Sequence, residues 1–392
     1  MQVAIVKYQE EKQTLRKAIE MCEGLKDLKR GDRVLVKPNV VAAGSRKIPP
    51  HGMTTSPEVM TELLSILKDL GCDRITIGEG AIVLKELKLD TNRAMVWSGL
   101  QPVAERFGAR VCDFNEGNFE EIELLGNEIE VSKEVFETDF FINVPVLKTH
   151  NQSVVSLALK NLKGCLSFKS KKKFHKMGLD DMIAHLGRRI PNHLVIIDGI
   201  YALERGPLLG SSLTVPHRFD LIVAGTDILA VDMVGAEILG YSIDDVPHLK
   251  RYGELSGREV RLEDIEILGE RLEDVRQPLE WTLAWSQHIL DEAGITGIHF
   301  PAPGISLCSG CGYTLFVGCA NFALNAKGRK FDKVYICAGK DIEPRADAKD
   351  VVLLGQCAIE KNREYKDALK VKGCPPKSGE VTKCLEQLRA IG

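Results

Sequence analysis

The chain has 392 residues, 44% of them hydrophobic, enough for two or three cores at roughly 100–200 residues per domain. Charged residues make up 27% and the formal net charge is only -3, which excludes a protein clothed in basic charge for wholesale nucleic-acid binding and makes any anion site a local one. No stretch approaches the ~18 consecutive apolar residues of a membrane span. The opening MQVAIVKY reads as a strand instead of an export signal, so a cytoplasmic protein is expected.

In chain order, short apolar and β-branched runs predict strands at Val3–Val6, Arg33–Pro38, Arg74–Glu79, Phe140–Leu147, His193–Gly199 and Phe219–Gly225. Segments with helical spacing lie between them, among them Pro57–Leu70 and Leu229–Leu239. Strands alternating with helices imply crossover units and an α/β fold with a mostly parallel sheet covered by helices. Ligands in such sheets sit beyond the carboxyl ends of the strands. A helical segment around Trp281–Ala293 gives way to the Pro/Gly stretch PAPGISLCSGC, which places a domain boundary at Pro301. The expected organisation is therefore a large α/β domain over 1–300 and a smaller α/β domain over 301–392. The tail reads as a helix at Gly318–Ala326, strands at Lys333–Cys337 and Asp350–Leu354, a short helix after Cys357 and a last helix from Ser378 to Ile391.

Seven of the eleven cysteines fall between Cys308 and Cys384, an uneven and odd-numbered distribution unlike a disulfide scaffold. Cys308 and Cys311 form a C-x-x-C turn, which brings two thiolates to one metal or cluster edge. Cys357 follows the apolar run VVLLGQ, and Cys374 follows VKG and precedes two prolines. A glycine before a ligand lets the backbone approach closely, and a proline after it stiffens the loop. Four such cysteines suit tetrahedral sulfur ligation of a cluster or metal; zinc would be satisfied by the same four thiolates, and buried free thiols are the plain alternative. Cys319 and Cys337 are alternative ligands or redox-active neighbours, or else core thiols. Cys22, Cys72, Cys112, Cys165 and Cys384 read as packing residues.

The strand exits of the large domain carry lysines. Lys37 and Asn39 lie in VKPN, Lys148 and His150 in LKTHNQ, and Lys160 and Lys163 in SLALKNLKG. From Lys148 to Leu179 there are eight lysines and no Asp or Glu, a bias that attracts phosphate or carboxylate; the run KSKKKFHK at Lys169–Lys176 reads as a solvated loop. Asp198 and Glu204 mark another exit, shaped by Gly206 and Pro207, and are candidate acids or metal ligands; either could instead cap a helix or pair with Arg205. Glu79 is a further strand-end acid, and Asp227 reads as a helix cap. No G-x-G-x-x-G follows the first strand, and neither a phosphate-binding G-x-x-x-x-G-K-[ST] nor a serine elbow is found.

Two resemblances add to this reading. The segments VLVKPN, TSPEVMTELLSILKDLG, VPVLKTHNQSVVSLALKNLKG, IIDGIYALERGP and GTDILAVDMVGAEILGY resemble the family named domain of unknown function 362, over about Val34 to Leu249. That family often carries ferredoxin-type clusters, although this tail lacks their usual cysteine run. The order CSGC, LLGQCA, KVKGCPPKSGEV resembles the proximal-cluster site of nickel–iron hydrogenase small subunits and of the related subunit of respiratory NADH dehydrogenase. That likeness implies Cys308, Cys311, Cys357 and Cys374 as the ligands of one four-iron cluster. The expected function is an iron–sulfur redox protein, possessing electron transfer to or from an anionic small molecule or redox partner held by the lysines. The rival is a binding or assembly module with a structural cluster or zinc and a basic docking loop.

Overall fold

The computed structural model describes the chain except for residues 11–12, 45–48, 84–88, 207–213, 260, 282–284, 302–305 and 392, and except for the side chains of 172, 175, 176, 285, 309, 310 and 313. Pro207, expected to shape the turn after Glu204, lies outside the described residues. Two compact units divide between Glu280 and Trp281.

The first unit opens with β1 (Gln2–Lys7), α1 (Thr14–Met21), β2 (Arg33–Pro38), α2 (Pro57–Asp69), β3 (Arg74–Glu79), α3 (Thr91–Trp97), α4 (Leu100–Phe107) and β4 (Arg110–Asp113). A hairpin, β5 (Phe119–Leu124) and β6 (Asn127–Ser132), leads to β7 (Phe140–Val144), β8 (Val146–His150), the short β9 (Val154–Val155), α5 (Ala158–Asn161), α6 (Phe168–Lys176) and α7 (Leu179–Gly187). The unit closes with β10 (Leu194–Glu204), β11 (Val215–Gly225), α8 (Ile228–Ile238), α9 (Pro247–Leu255), β12 (Glu266–Gly269) and α10 (Leu272–Val275).

The main sheet runs in the order β12-β1-β11-β10-β7-β2-β3-β4, with β8 beside β10. All neighbours from β10 through β7, β2 and β3 to β4 are parallel, as are β12 and β1; β11 is antiparallel to both β1 and β10. Every residue of β7 is buried, as expected of a parallel strand covered on both faces. The helices follow local signals: Ser56 caps α2 by accepting from the Val59 amide, with Pro57 at the first helical position. Asp227 caps α8 through the Ala230 amide, as its sequence position predicts.

Several expectations change. The run Phe140–Leu147 is two strands, because Pro145 has no amide to donate; its carbonyl instead accepts from Asp198 N at 2.8 Å, and the chain continues along β10. The basic run Lys169–Lys176 is a helix, not a loop. Lys169 pairs with Glu130 at 2.9 Å and Lys173 reaches the Glu128 carbonyl at 2.8 Å, so acidic and carbonyl groups of β6 give it a wall to pack on. The domain division falls about twenty residues before Pro301, because α11 (Trp285–Glu292) and β13 (Thr296–His299) pack into the second unit's own core.

The second unit continues with α12 (Ser309–Asn325), β14 (Lys330–Ala338), β15 (Asp350–Leu354), α13 (Gln356–Lys361), β16 (Leu369–Val371) and α14 (Ser378–Leu385). Its four strands form one parallel sheet in the order β13-β14-β15-β16. The last helix is shorter than the expected Ser378–Ile391. Among the described residues no helix is long and apolar enough to cross a membrane.

Leu63 on α2 is fully buried in the first unit's core, whereas Val96 on α3 is 59% exposed. Leu63→Ala is expected to lower the unfolding free energy by about 2–5 kcal/mol and Val96→Ala to leave it within about 0.5 kcal/mol, as read by urea denaturation followed by circular dichroism.

Candidate functional site

The carboxyl ends of β2, β3 and β7 lie side by side, and there the sheet buries charge. Lys37 and Lys148 are the largest polar side chains in the interior, 0% and 1% exposed. Lys37 Nζ donates to Glu79 Oε2 at 3.0 Å, to the Pro38 carbonyl at 2.9 Å and to Asn161 Oδ1 at 3.2 Å. Glu79 also accepts from the amides of Val40 and Gly80, both at 2.8 Å. Asn161 Oδ1 accepts in addition from Asn39 Nδ2 at 3.0 Å, while its own amide donates to Asn143 Oδ1 at 2.8 Å. Lys148 Nζ donates to Asn39 Oδ1 and, at 3.0 Å, to the Met53 carbonyl. The register explains the convergence, since Lys37 is paired with Asn143 across β2 and β7.

Gly164, on the turn after α5, presses on this pair. A Cβ there would sit 2.2 Å from Glu79 Oε1 and 2.6 Å from Lys37 Nζ. Both side chains are held by several hydrogen bonds and cannot easily swing away, so the close approach demands glycine.

Charge is unbalanced across the site. Burial, and after it the Lys37 charge, pushes the Lys148 ammonium down to about 7 against the pull of Glu79. Lys160 on α5 keeps part of its surface accessible, yet burial of its amine and the neighbouring Lys148 push it to about 7 as well. Lys171 on α6, bonded to the Gly80 carbonyl at 2.6 Å and Asn115 Oδ1 at 2.9 Å, is pushed by burial to about 8. Glu79 thus acts on Lys37, Lys148 and Lys171 alike. An interior with more ammoniums than carboxylates favours an anion.

The expected residues divide. Lys37, Asn39, Lys148 and Lys160 come together. His150, buried at the end of β8, accepts the Gln152 amide at Nδ1 at 3.0 Å, and Lys163 is half-buried one turn beyond Lys160. Asp198 accepts from the amides of Ser56, at 2.6 Å, and Ile200, at 3.1 Å, and so anchors the start of α2; burial raises it to about 6. Glu204 accepts from His217 Nε2 at 3.0 Å and from the Glu280 amide at 2.9 Å, while the nearby Arg205 pairs with the Glu280 carboxylate. Sequence reasoning passes over Asn143 and reads Asp232 only as a helix residue. The Asp232 carboxylate holds the amides of Ala158 and Leu159 at 2.7 and 2.8 Å and so fixes the start of α5; burial raises it to about 7. Its position on a helix buried almost throughout was the available signal.

In the second unit, Cys308 occupies the position just before α12, without a side-chain capping bond, and Cys311 lies in the helix's first turn. Cys357 lies in α13, directly after β15, and Cys374 follows β16 through a cis peptide to Pro375. Gly355, at φ 89°, turns the chain from β15 into α13, and the Gln356 amide bonds the Gly373 carbonyl at 2.9 Å, tying the two cysteine loops together. The Cys311 thiol is pushed up by its contact with Cys308, then by burial and by the charges of Cys308, Cys374 and Cys357. The Cys357 thiol is raised by burial and by Cys374 and Cys308, with Lys340 opposing. The four expected ligands therefore share one electrostatic neighbourhood at the carboxyl edge of the small sheet. Among the described residues no group of three or more His, Cys, Asp or Glu side chains is drawn together as a single-ion site. Cys319 and Cys337 are fully buried in the second unit, their thiols pushed by burial to about 12, which fits core packing.

Residues 34–237, just over half of the chain, match the family described as Domain of unknown function (DUF362), and the chain belongs to that family. It is 29% identical over 242 residues to the thylakoid-associated protein sll1697 of Synechocystis sp. (strain ATCC 27184 / PCC 6803 / Kazusa), covering 60% of this chain and 71% of the relative. The lactate racemase apoprotein from Thermoanaerobacterium thermosaccharolyticum aligns over 98% of this chain and 89% of its own, at 15% identity and a TM-score of 0.37.

Two outcomes are expected. Gly164→Ala should cost about 1–3 kcal/mol by overpacking, measured by chemical denaturation. The ionisable groups should also give opposite limbs in stability against pH. Asp198 and Asp232, raised from 3.8, bind more protons when folded, so their contribution falls as pH rises from about 4 to 7. Lys148 and Lys160, lowered from 10.5, bind fewer, so theirs rises from about pH 7 to 10. Denaturation midpoints of Asp232→Asn should lose slope on the acid side, and those of Lys148→Met on the alkaline side.

Proposed function

We propose that this chain is a cytoplasmic iron–sulfur redox protein that exchanges electrons with an anionic substrate or redox partner. Cys308, Cys311, Cys357 and Cys374 would hold one four-iron, four-sulfur cluster, and Lys37, Asn39, Lys148 and Lys160 would bind the anion. The observation that carries this reading is that Cys308, Cys374 and Cys357 act on the Cys311 thiol, and Cys374 and Cys308 on that of Cys357, across three separate chain segments at one sheet edge. Cys311 and Cys357, crowded so that they resist ionisation, are suited to exchanging protons for a cationic centre. When bound, a cluster supplies one-electron chemistry. The order of the three cysteine segments resembles the proximal-cluster site of nickel–iron hydrogenase small subunits, which supports the same four ligands.

The chain's own part is electrostatic. Lys340 favours the Cys357 thiolate, and the Gly355 and Gly373 turns let backbone approach the thiols. In the first unit, Glu79 and Asn161 fix the Lys37 ammonium, and Asn39 relays that order to Lys148, so a bound carboxylate or phosphate meets donors already in place. All eleven cysteines are unbridged, in keeping with a reducing compartment. The alternative of a basic docking loop is less favoured by Lys171 of α6, whose amine is bonded within the unit.

Protein purified without oxygen is expected to carry about four irons and four sulfides per chain, with a signal in electron paramagnetic resonance after dithionite, both lost in Cys374→Ser. Zinc without iron would overturn the redox reading and leave a structural site. Inorganic phosphate, titrated calorimetrically at low salt, should bind about tenfold or more weakly to Lys148→Gln, a loss of about 1.4 kcal/mol; unchanged affinity would remove the anion site.

A further inference from the structure

Beyond the buried lysine cluster lies a polar group that the redox reading does not use. His248 on α9 is 0% exposed, and neither ring nitrogen has a hydrogen-bond partner among the described residues. Asp180 on α7 stands 3.3 Å from its Nδ1, an ion-pair separation without hydrogen-bond geometry, and the Asp180 Oδ1 involved is likewise buried and unbonded. Such orphaned polar atoms are costly in a folded interior unless something else satisfies them. Lys160 is an electrostatic neighbour of both His248 and Asp180 on one side, and of Lys148 on the other. Lys37, Lys148 and Lys171 each have hydrogen-bond acceptors; Lys160 has neither a hydrogen bond nor an ion pair among the described residues.

An amine with no acceptor, enclosed beside a second ammonium and an acid–imidazole pair, has the surroundings of a nucleophile more than of a structural charge. We propose that Lys160 condenses with a small carboxylate bearing an adjacent carbonyl, a 2-oxo acid, to form an imine, Lys148 holding the carboxylate. The proposal rests on the anion-binding reading of the same pocket.

The Lys160 nitrogen lone pair adds to the carbonyl carbon while the C=O π electrons move to oxygen. His248 takes a proton from the new ammonium nitrogen and returns it to that oxygen, giving a carbinolamine. The C–O bond then breaks, and the carbonyl oxygen departs with both amine hydrogens as water, leaving C=N. Asp180 is the positioning residue, set to hold the imidazole and offset its passing charge. Burial keeps His248 below its usual range and so neutral, ready to accept that proton. The groups facing Lys160 are Lys148 from β8, Asp180 from α7 and His248 from α9. At pH 7 an amine titrating near 7 is about half unprotonated, against roughly one part in 10³ for an ordinary lysine.

The test incubates the full chain with pyruvate and sodium cyanoborohydride across pH 6–10 and maps reduced adducts by peptide mass spectrometry. A single adduct on Lys160 is expected, its rate rising through about pH 7, abolished in Lys160→Arg, and slowed in His248→Gln and Asp180→Asn with a displaced pH profile. Circular dichroism melts confirm that each variant is folded. Adducts scattered over exposed lysines and unchanged in Lys160→Arg would overturn the proposal. Stabilisation by inorganic phosphate, read in the same melts, separates the two ideas: phosphate binding without a Lys160 adduct defeats the imine alone, and loss of both defeats the anion pocket too.

Discussion

The first unit is organised around the ion pair between Lys37 and Glu79. Neither partner could be buried alone, since removing one side of an interior pair leaves an uncompensated charge costing about 3–5 kcal/mol. Each is therefore bound to several groups: Glu79 to two backbone amides, Lys37 to a carbonyl and an amide oxygen. Gly164, the Asn161 hub, the Asp232 cap on α5 and the ends of β2 and β3 all serve to hold those two atoms together. Lys148 extends this array, its charge felt by Lys160, and the surplus of positive charge gives the site its chemical preference.

The second unit meets the same geometric problem with a different element. Parallel strands deliver their loops to one edge, so cysteines far apart in sequence can gather there with no long insertion. Glycines at 355 and 373 allow the tight backbone approach, and the Gln356 amide bond to the Gly373 carbonyl ties two of the three thiol-bearing segments together.

Much of this is legible in the residues. The run RITIGE is a strand at the expected limits, and the strand-exit rule selects Lys37, Asn39 and Lys148 before any contact is seen. What fails does so for lack of distant partners. The lysines of α6 look solvated until the hairpin forty residues upstream supplies Glu130, and the helix expected from Gly318 begins nine residues earlier, at Ser309. Asp198 has the profile of a catalytic acid in sequence, yet its oxygens are occupied by the backbone at the start of α2. The Asp180 and His248 pairing spans 68 positions, and no local periodicity records it.

Pro145 divides one extended path into two, and the polar centre beside it is assembled from distant parts of the chain. Lys37 meets a partner 124 positions away in Asn161, and Lys148 meets one 109 positions away in Asn39. Contacts of such separation carry a loop-closure cost that local ones do not. The polar centre is a keystone: β2 supplies Lys37, β3 Glu79, β7 Asn143 and α5 Asn161, and it is complete only when all four elements are docked. The site's chemistry therefore belongs to the whole first unit and to no smaller piece of it.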